Sequence, residues 1–215
     1  MLSYMKHLQR GYTLVELLII VVVLTILASI AIVGWEGVSA LSRDRAREQD
    51  TRQWSSTFDI YRSRFVVHPI MPTINGGAGA ITRCLGSPSS FPNGRCGQYK
   101  ISDSAKSFLA SNSSGLESEV GKVGNMPTNS NETLRDTLVG PILYTVKNVS
   151  GTITTVDTMF INFFELGCPE DDFVDITTNP TVANGVLNDL PAALKTGNNV
   201  HACAIVNSFS FDPTS

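Results

Sequence analysis

The segment of residues 14–33 constrains this chain most, because it is long enough and apolar enough to cross a lipid bilayer. Its only charged residue is Glu16, and most of the others are Leu, Ile, Val and Ala. A helix of that length, at about 1.5 Å per residue, extends about 30 Å, which is the hydrocarbon thickness of a bilayer. The sequence therefore predicts a transmembrane helix near the N-terminus.

The leader before this segment indicates its orientation. Lys6 and Arg10 lie in the opening stretch "MLSYMKHLQRG", and basic flanks favour the cytoplasmic side. The remainder of the chain is then predicted to be exported. A conventional secretory signal has an apolar stretch of roughly 7–15 residues before a small-residue cleavage site. Here the apolar residues continue past Ala31, so conventional cleavage at that point is the less favoured interpretation.

Length and charge set broad limits on the rest of the chain. It has 215 residues, which allows one domain with an appendage. Charged residues make up 16% of the sequence, against about 25% in ordinary soluble domains. The formal net charge of −3 gives no reason to expect nucleic acid as the main partner.

Residues 34–65 contain no proline and are richer in charged and polar side chains, so the helix is predicted to continue and become amphipathic. Gly34 and Gly37 are the places where a bend or local unwinding is expected. Aromatic residues recur at helical spacing and are predicted to pack against a domain core. These residues are Trp54, Phe58, Tyr61 and Phe65.

The rest of the chain predicts a small β-rich head. Residues 142–148 and 152–166 are β-branched and aromatic runs joined by a turn, which indicates a hairpin, and residues 201–211 supply a third strand. A short helix is expected within residues 102–111, with Ser102 or Asp103 as its N-cap. The predicted fold class is α+β, with a long helix packed on a small antiparallel sheet.

Four cysteines follow the apolar segment. On the exported side an even number of cysteines indicates up to two disulfides. The sequence has no C-x-x-C pair, so a zinc site is not expected. Three pairings are possible; the favoured one closes two local segments, joining Cys84 to Cys96 and Cys168 to Cys203.

The N-terminus resembles that of type IV pilins and pseudopilins, the class III signal family. Their pattern is a short basic leader, Gly, an aromatic residue, Thr-Leu, an aliphatic residue, Glu and then an apolar helix. The resemblance covers about the first third of the chain. The chain departs from the family pattern in two ways: it has Tyr instead of the commoner Phe, and its helix contains no proline. The matching residues are Gly11, Tyr12, Thr13, Leu14, Val15 and Glu16.

The resemblance implies specific processing and a type IV pilin-like fold. A prepilin peptidase would cut between Gly11 and Tyr12, and a methyltransferase activity would methylate the new amine of Tyr12. Glu16 would pair with the N-terminal amine of a neighbouring subunit. The implied organisation is a leader (residues 1–11), a transmembrane or filament-core helix (12–34), its amphipathic continuation (35–66) and a globular head with disulfides (67–215).

Physical reasoning also singles out Glu16. A carboxylate within hydrocarbon costs roughly 2.5–3.5 kcal/mol on insertion scales, so an unpaired one is unfavourable. Cleavage after Gly11 would create an amine about one helical turn away, and pairing within a subunit or between subunits is open. The alternative is an interfacial glutamate whose side chain reaches water at the cytoplasmic edge.

The function implied by the resemblance is that of a filament subunit in a type IV pilus serving motility, adhesion or DNA uptake. One alternative is a pseudopilin of a type II secretion system, and another is a membrane-tethered extracellular binding domain. The implied partners are copies of itself or other pilins, the processing peptidase, an assembly platform with its motor, and membrane lipid before assembly. The implied location is the cytoplasmic membrane, then an extracellular pilus or periplasmic pseudopilus.

Two charged regions give weaker signals. Oxygen ligands suit calcium, but an acidic loop exposed to solvent is favoured over a calcium site at Glu170, Asp171, Asp172 and Asp175. Arginines along residues 43–64 are compatible with DNA or anionic lipid, but the acids among them favour ion pairs with neighbouring subunits. The arginines are Arg43, Arg45, Arg47, Arg52, Arg62 and Arg64.

Catalysis has little support in the sequence. The histidines are His7, His68 and His201, and no nucleophile elbow, zinc-protease or phosphate-loop motif is present. His201 lies two residues from Cys203, but an exported cysteine is more often part of a disulfide. We therefore expect a structural protein without a cofactor, not an enzyme.

Overall fold

The computed structural model describes residues 12–65, 69, 79–91, 94–98, 107–109, 114–129, 134, 138–150, 153–170, 172–176 and 200–211. Contacts divide the chain into two units, residues 1–40 and 41–215. Helix α1 (Leu14–Phe65) begins in the first unit and ends in the second. It is helical through Gly34 and Gly37, so no unwinding is present at either glycine.

From Leu14 to Ile32, the apolar side chains of α1 are exposed. The exposed fraction is 81% at Leu14 and still 45% at Ile20, so no core within the first unit covers them. By length and composition α1 is able to cross a membrane, with a mean hydropathy of 3.1 in its most apolar window. Such a helix is stable in lipid because its backbone hydrogen bonds are satisfied internally.

The strands in the described residues are β1 (Gly79–Cys84), β2 (Arg95–Gln98), β3 (Ser107–Leu109), β4 (Leu138–Val139), β5 (Ile142–Ser150), β6 (Ile153–Phe164), β7 (Phe173–Asp175) and β8 (His201–Phe211). Five of them form an antiparallel sheet in the second unit, in the order β1-β5-β6-β8-β7. The predicted hairpin is confirmed, since Ile142 pairs with Ile161 and Ser150 with Ile153. The third predicted strand is also confirmed and pairs along its whole length with the second strand of the hairpin.

One face of this sheet packs against the C-terminal part of α1. Trp54 and Phe58 are each 1% exposed and lie in one cluster with Leu143, Phe160 and Ile205. The rings of Phe58 and Phe160 meet edge to face, with centroids 4.9 Å apart. Truncating a buried aromatic residue of this kind to alanine typically costs 3–5 kcal/mol. The prediction that the aromatic residues pack on a core is confirmed for these two.

The other face of the sheet supports a second core. Side chains alternate between faces along a strand, so Tyr144, Met159 and Ile161 join a separate buried cluster. That cluster also contains residues of a small sheet in the order β3-β2-β4. The head is therefore α+β, with the sheet between the helix and a second layer.

Two local features differ from the sequence predictions. A helix was expected within residues 102–111, but residues 107–109 form β3, where Phe108 pairs with Cys96. Cross-strand pairing overrides local propensity in such short segments. The short helix α2 lies later, at Ser114–Val120. Tyr61 is buried as predicted, whereas Phe65 is 37% exposed and stacks on Tyr61 with centroids 4.6 Å apart.

Candidate functional site

The start of α1 is built by two residues that cap each other. The backbone N–H of Glu16 donates to the Thr13 hydroxyl at 3.2 Å. The Glu16 carboxylate accepts from the backbone N–H and from the hydroxyl of Thr13, both at 3.4 Å. This is a capping box, which satisfies amides that the first helical turn leaves without partners.

The capping box changes the interpretation of Glu16. Its charge lies at the positive end of the helix dipole and has donors within its own chain. The spacing of "TLVE" in the sequence is the capping-box signature, and sequence reasoning overlooked it. Tyr12 is 75% exposed beside this turn. Gly11 lies outside the described residues, so cleavage, methylation of Tyr12 and pairing of Glu16 with an amine stay predictions.

In the head, Asp44 connects α1 to the end of β6. Its carboxylate accepts from the backbone N–H groups of Glu165 at 3.0 Å and Leu166 at 2.9 Å. It also accepts from the guanidinium of Arg47 at 2.9 Å, and both side chains of this pair are almost fully buried. A buried carboxylate with three donors holds its partners strongly, because losing it would leave the buried Arg47 guanidinium with only a longer contact to Glu165.

Glu165 adds a second set of ion pairs to this junction. Arg43 donates to both of its carboxylate oxygens, at 2.9 and 3.1 Å, and Arg47 lies 3.4 Å away. Arg43 is the main reason that the pKa of Glu165 is lowered, in spite of the opposing effect of burial. The cluster of Arg43, Asp44, Arg47 and Glu165 is called the helix–head junction below.

Several arginines of α1 pair with acids of the same chain, whereas the predicted ion pairs with neighbouring subunits stay a prediction. Arg52 contacts Asp172 at 2.9 Å and Glu48 at 3.1 Å, and Arg45 contacts Glu48 at 2.7 Å. Burial alone would raise the pKa of Glu48, but the two arginines lower it. Glu165, which pairs with Arg43, and Asp172, which pairs with Arg52, lie over a hundred residues away in sequence. Only the tertiary structure reveals these two pairs.

Another polar contact joins α1 to α2. The Tyr61 hydroxyl donates to Glu119 at 2.7 Å, and Glu119 also pairs with Lys122 at 2.6 Å. Burial and then this carboxylate raise the pKa of Tyr61. Lys122, followed by Tyr61, lowers the pKa of Glu119. The hydrogen bond therefore anchors the polar end of a buried aromatic residue, as is usual for tyrosine in a core.

The acidic loop after β6 does not assemble a metal site within the described residues. Asp172 pairs with Arg52, and Asp175 lies 2.8 Å from the imidazole of His201. Glu170 is exposed, and Asp171 falls outside the described residues. No group of three candidate ligands occurs in the described part of the chain. Calcium binding stays an untested prediction.

Both disulfides lie in the head. Cys84 is bonded to Cys96 and Cys168 to Cys203, with Cα atoms 5.7 and 5.5 Å apart. These are the pairs that sequence spacing favoured. The first connects β1 to β2, and so joins the two sheets. The second ties the loop after β6 to β8.

A cleft of about 400 Å³ lies beside the helix–head junction. Its walls combine exposed Leu41 and Leu166 with charged side chains that are already paired inside the chain, such as Asp44 and Arg52. Paired charges of both signs give the cleft no dominant electrostatic preference.

Comparison with known families identifies the N-terminal segment. The family model for the prokaryotic N-terminal methylation motif matches residues 6–32. This is the class III signal of type IV pilins. No curated protein and no solved structure matches the chain.

The prepilin motif contains Thr13 and Glu16 and ends just before Val33. It therefore covers the capping box and the exposed apolar part of α1 together. The prepilin motif and the apolar helix fit a precursor that is anchored in the inner membrane. They point to a family of structural proteins whose members are processed by a prepilin peptidase and assemble into filaments.

Proposed function

We propose that this protein is a structural subunit of a type IV pilus or a related filament. The observation that carries the proposal is a prepilin motif placed on an exposed apolar helix that runs on into the α+β head. In the precursor, this helix anchors the chain in the inner membrane. In the filament, the same apolar surface packs against neighbouring helices, which replaces one apolar environment with another.

Glu16 controls register in this proposal. Before assembly its carboxylate is bonded within the capping box. After cleavage, the new amine of Tyr12 in a neighbouring subunit offers a cationic partner. A charge without such a partner inside an apolar filament core is strongly unfavourable. The favoured alignment of neighbouring subunits is therefore the one that brings this amine to Glu16.

Mass spectrometry of the protein purified from cells tests the processing step. The expected mature chain begins at Tyr12 with a methylated amine. A Gly11→Trp variant is expected to stay at precursor length, because a bulky side chain hinders the backbone approach that glycine allows. A chain that keeps Met1, or that is cut after Ala31, would favour the membrane-tethered binding domain instead.

Electron microscopy of filaments sheared from cells tests the assembly step. Glu16→Ala is expected to give a processed subunit that assembles poorly, while Glu48→Ala serves as a control, since Glu48 lies in the head part of α1. Normal filaments from both variants would contradict the role of Glu16. Loss of secretion without any loss of surface filaments would favour a pseudopilin.

A further inference from the structure

Two aromatic residues mark the ends of the apolar part of α1. Tyr12 lies two residues before the first residue of α1 and Trp35 follows the apolar run, and each is 75% exposed. Ile32, on the apolar side of Trp35, is also 65% exposed. The motif match ends before Trp35, so nothing in the prepilin motif accounts for an exposed indole at this position.

The length of helix between the two rings matches the hydrocarbon layer of a bilayer. From Leu14 to Trp35 a helix rises about 32 Å, close to the hydrocarbon thickness of about 30 Å. Tyr and Trp have an apolar ring with one polar group, and both are enriched where hydrocarbon meets the lipid headgroups. A helix with this spacing presents both rings to the two interfaces at the same time.

The surrounding charges define the same boundaries. Lys6 and Arg10 precede Tyr12, Glu36 follows Trp35, and Glu16 is the only charge between the two rings. Sliding the helix by one turn, about 5.4 Å, would draw Glu36 and the indole N–H towards hydrocarbon or push apolar residues into water. The depth of the helix is therefore sharply determined.

We propose that Tyr12 and Trp35 are a pair of lipid-interface anchors that fix the depth of the precursor in a phospholipid bilayer. The Tyr12 ring lies at the cytoplasmic interface, which places the bond after Gly11 at the membrane surface where a membrane peptidase reaches it. The Trp35 ring lies at the opposite interface. This inference rests on the proposed function, because it requires a membrane-anchored precursor.

Tryptophan fluorescence tests the anchor directly, because the chain has two tryptophans and Trp54 is only 1% exposed in the head. Full-length Trp54→Phe is reconstituted into phosphatidylcholine vesicles brominated near either the carbonyl or the methyl end of the acyl chains. We expect a loss of Trp35 emission that is larger with bromine near the carbonyl end. Full-length Trp35→Phe is the matched control, and its Trp54 emission is expected to be unaffected by either lipid.

Two further measurements address the cytoplasmic interface at Tyr12 and the case in which Trp54→Phe does not fold. Tyr12→Trp, in a chain with Trp35→Phe and Trp54→Phe, is expected to show the same preference for bromine near the carbonyl end. If Trp54→Phe unfolds, the difference between wild-type and Trp35→Phe emission reports the same indole.

Vesicle flotation separates failure of this inference from failure of the proposed function. A chain that does not float with vesicles contradicts the membrane-anchored precursor and the anchors together. A chain that floats, but whose Trp35 emission is not quenched or is quenched most from the methyl end, overturns the anchors alone. A Trp35 emission that responds only to filament assembly also overturns them, since the ring then contacts a neighbouring subunit.

Discussion

Thr13 and Glu16 cap each other at the first turn of α1, each side chain bonding to the backbone or side chain of the other within 3.4 Å. The carboxylate is therefore partnered before any second subunit is present. In the proposed filament, an amine from a neighbouring subunit would compete with these bonds or add to them, and Thr13 would then share in positioning Glu16.

Thr13→Val is expected to weaken the first turn of α1, because it removes the hydroxyl that serves Glu16 as both donor and acceptor. Loss of an N-cap typically costs about 1 kcal/mol, or about fivefold in the local opening equilibrium. Hydrogen exchange of the detergent-solubilised chain, read at residues 14–17, measures this. Thr13→Ser keeps the hydroxyl and should retain the wild-type protection; equal protection in both variants would contradict the capping role.

Asp44→Ala is expected to destabilise the head by roughly 3–5 kcal/mol, because it leaves buried Arg47 short of a partner and two backbone amides unsatisfied. Asp59→Ala is the control, since Asp59 is mainly exposed and pairs with Arg62 at 3.3 Å. A surface pair of that kind contributes about 0–1 kcal/mol. Urea unfolding followed by Trp54 fluorescence should show this contrast, and similar midpoints for the two variants would argue against it.

Glu165→Gln is expected to lower stability at pH 7 by about 1 kcal/mol, a modest value because Arg43 is over a third exposed. Since the pKa of Glu165 is lowered below its ordinary value of 4.5, its contribution is present above that pH. The contribution is lost as the pH falls through the lower pKa of the folded state. The difference in unfolding free energy between wild type and variant should therefore be constant near neutrality and shrink below about pH 4.5.

The matching experiment on Glu170, which is exposed, sets the baseline for Glu165. Glu170→Gln should change stability little at any of these pH values. A Glu165→Gln effect that persists unchanged well below pH 4.5 would mean that the ion pair with Arg43 is not its source.

Gly86→Ala and Gly167→Ala should differ in stability although their backbones are alike. Both glycines have positive φ, +131° and +128°, where an added side chain is strained by about 1–3 kcal/mol. Only at Gly86 would the new Cβ overlap the side-chain amide of Asn129, which bonds to Trp54 and to the Leu85 carbonyl. Thermal unfolding should place Gly86→Ala clearly below Gly167→Ala, and the reverse order would contradict this packing.

The two disulfides should stabilise the head unequally. Removing a native disulfide typically costs 2–5 kcal/mol, more for longer loops in the chain-entropy account. The bridges span 12 residues for Cys84–Cys96 and 35 for Cys168–Cys203. Replacing both cysteines of the second bridge by alanine should therefore cost about 1 kcal/mol more than the same change in the first. Denaturant midpoints of the two double variants measure the difference.

Periodicity and spacing were sufficient for much of the fold. Apolar length predicted the first part of α1, and runs of β-branched and aromatic residues predicted β5, β6 and β8. The local prediction failed at residues 107–109, where pairing with β2 decides the strand. It also missed β7, whose three residues are held by pairing with β8. Segments this short carry too few side chains for a period to appear, so their structure depends on partners.

The arginine stretch shows the same limit at the level of the site. Sequence spacing shows acids three and four residues from Arg45 and Arg52, and Glu48 indeed serves both. It does not show that Arg43 and Arg47 meet Glu165, because that carboxylate lies on a turn placed by the sheet. Sequence therefore predicted the charges but assigned their partners to neighbouring subunits.

The sequence by itself determined the N-terminal part of this protein, because a long apolar helix and its capping box depend only on residues within one turn or one apolar run. Those interactions are local in sequence, and the residues of the capping box lie within the stretch that the prepilin motif matches. Only the tertiary structure decided the helix–head junction, in which Asp44 bonds to backbone groups more than a hundred residues away. Such contacts depend on the packing of α1 against the sheet, which buries the ions and so makes their pairing obligatory.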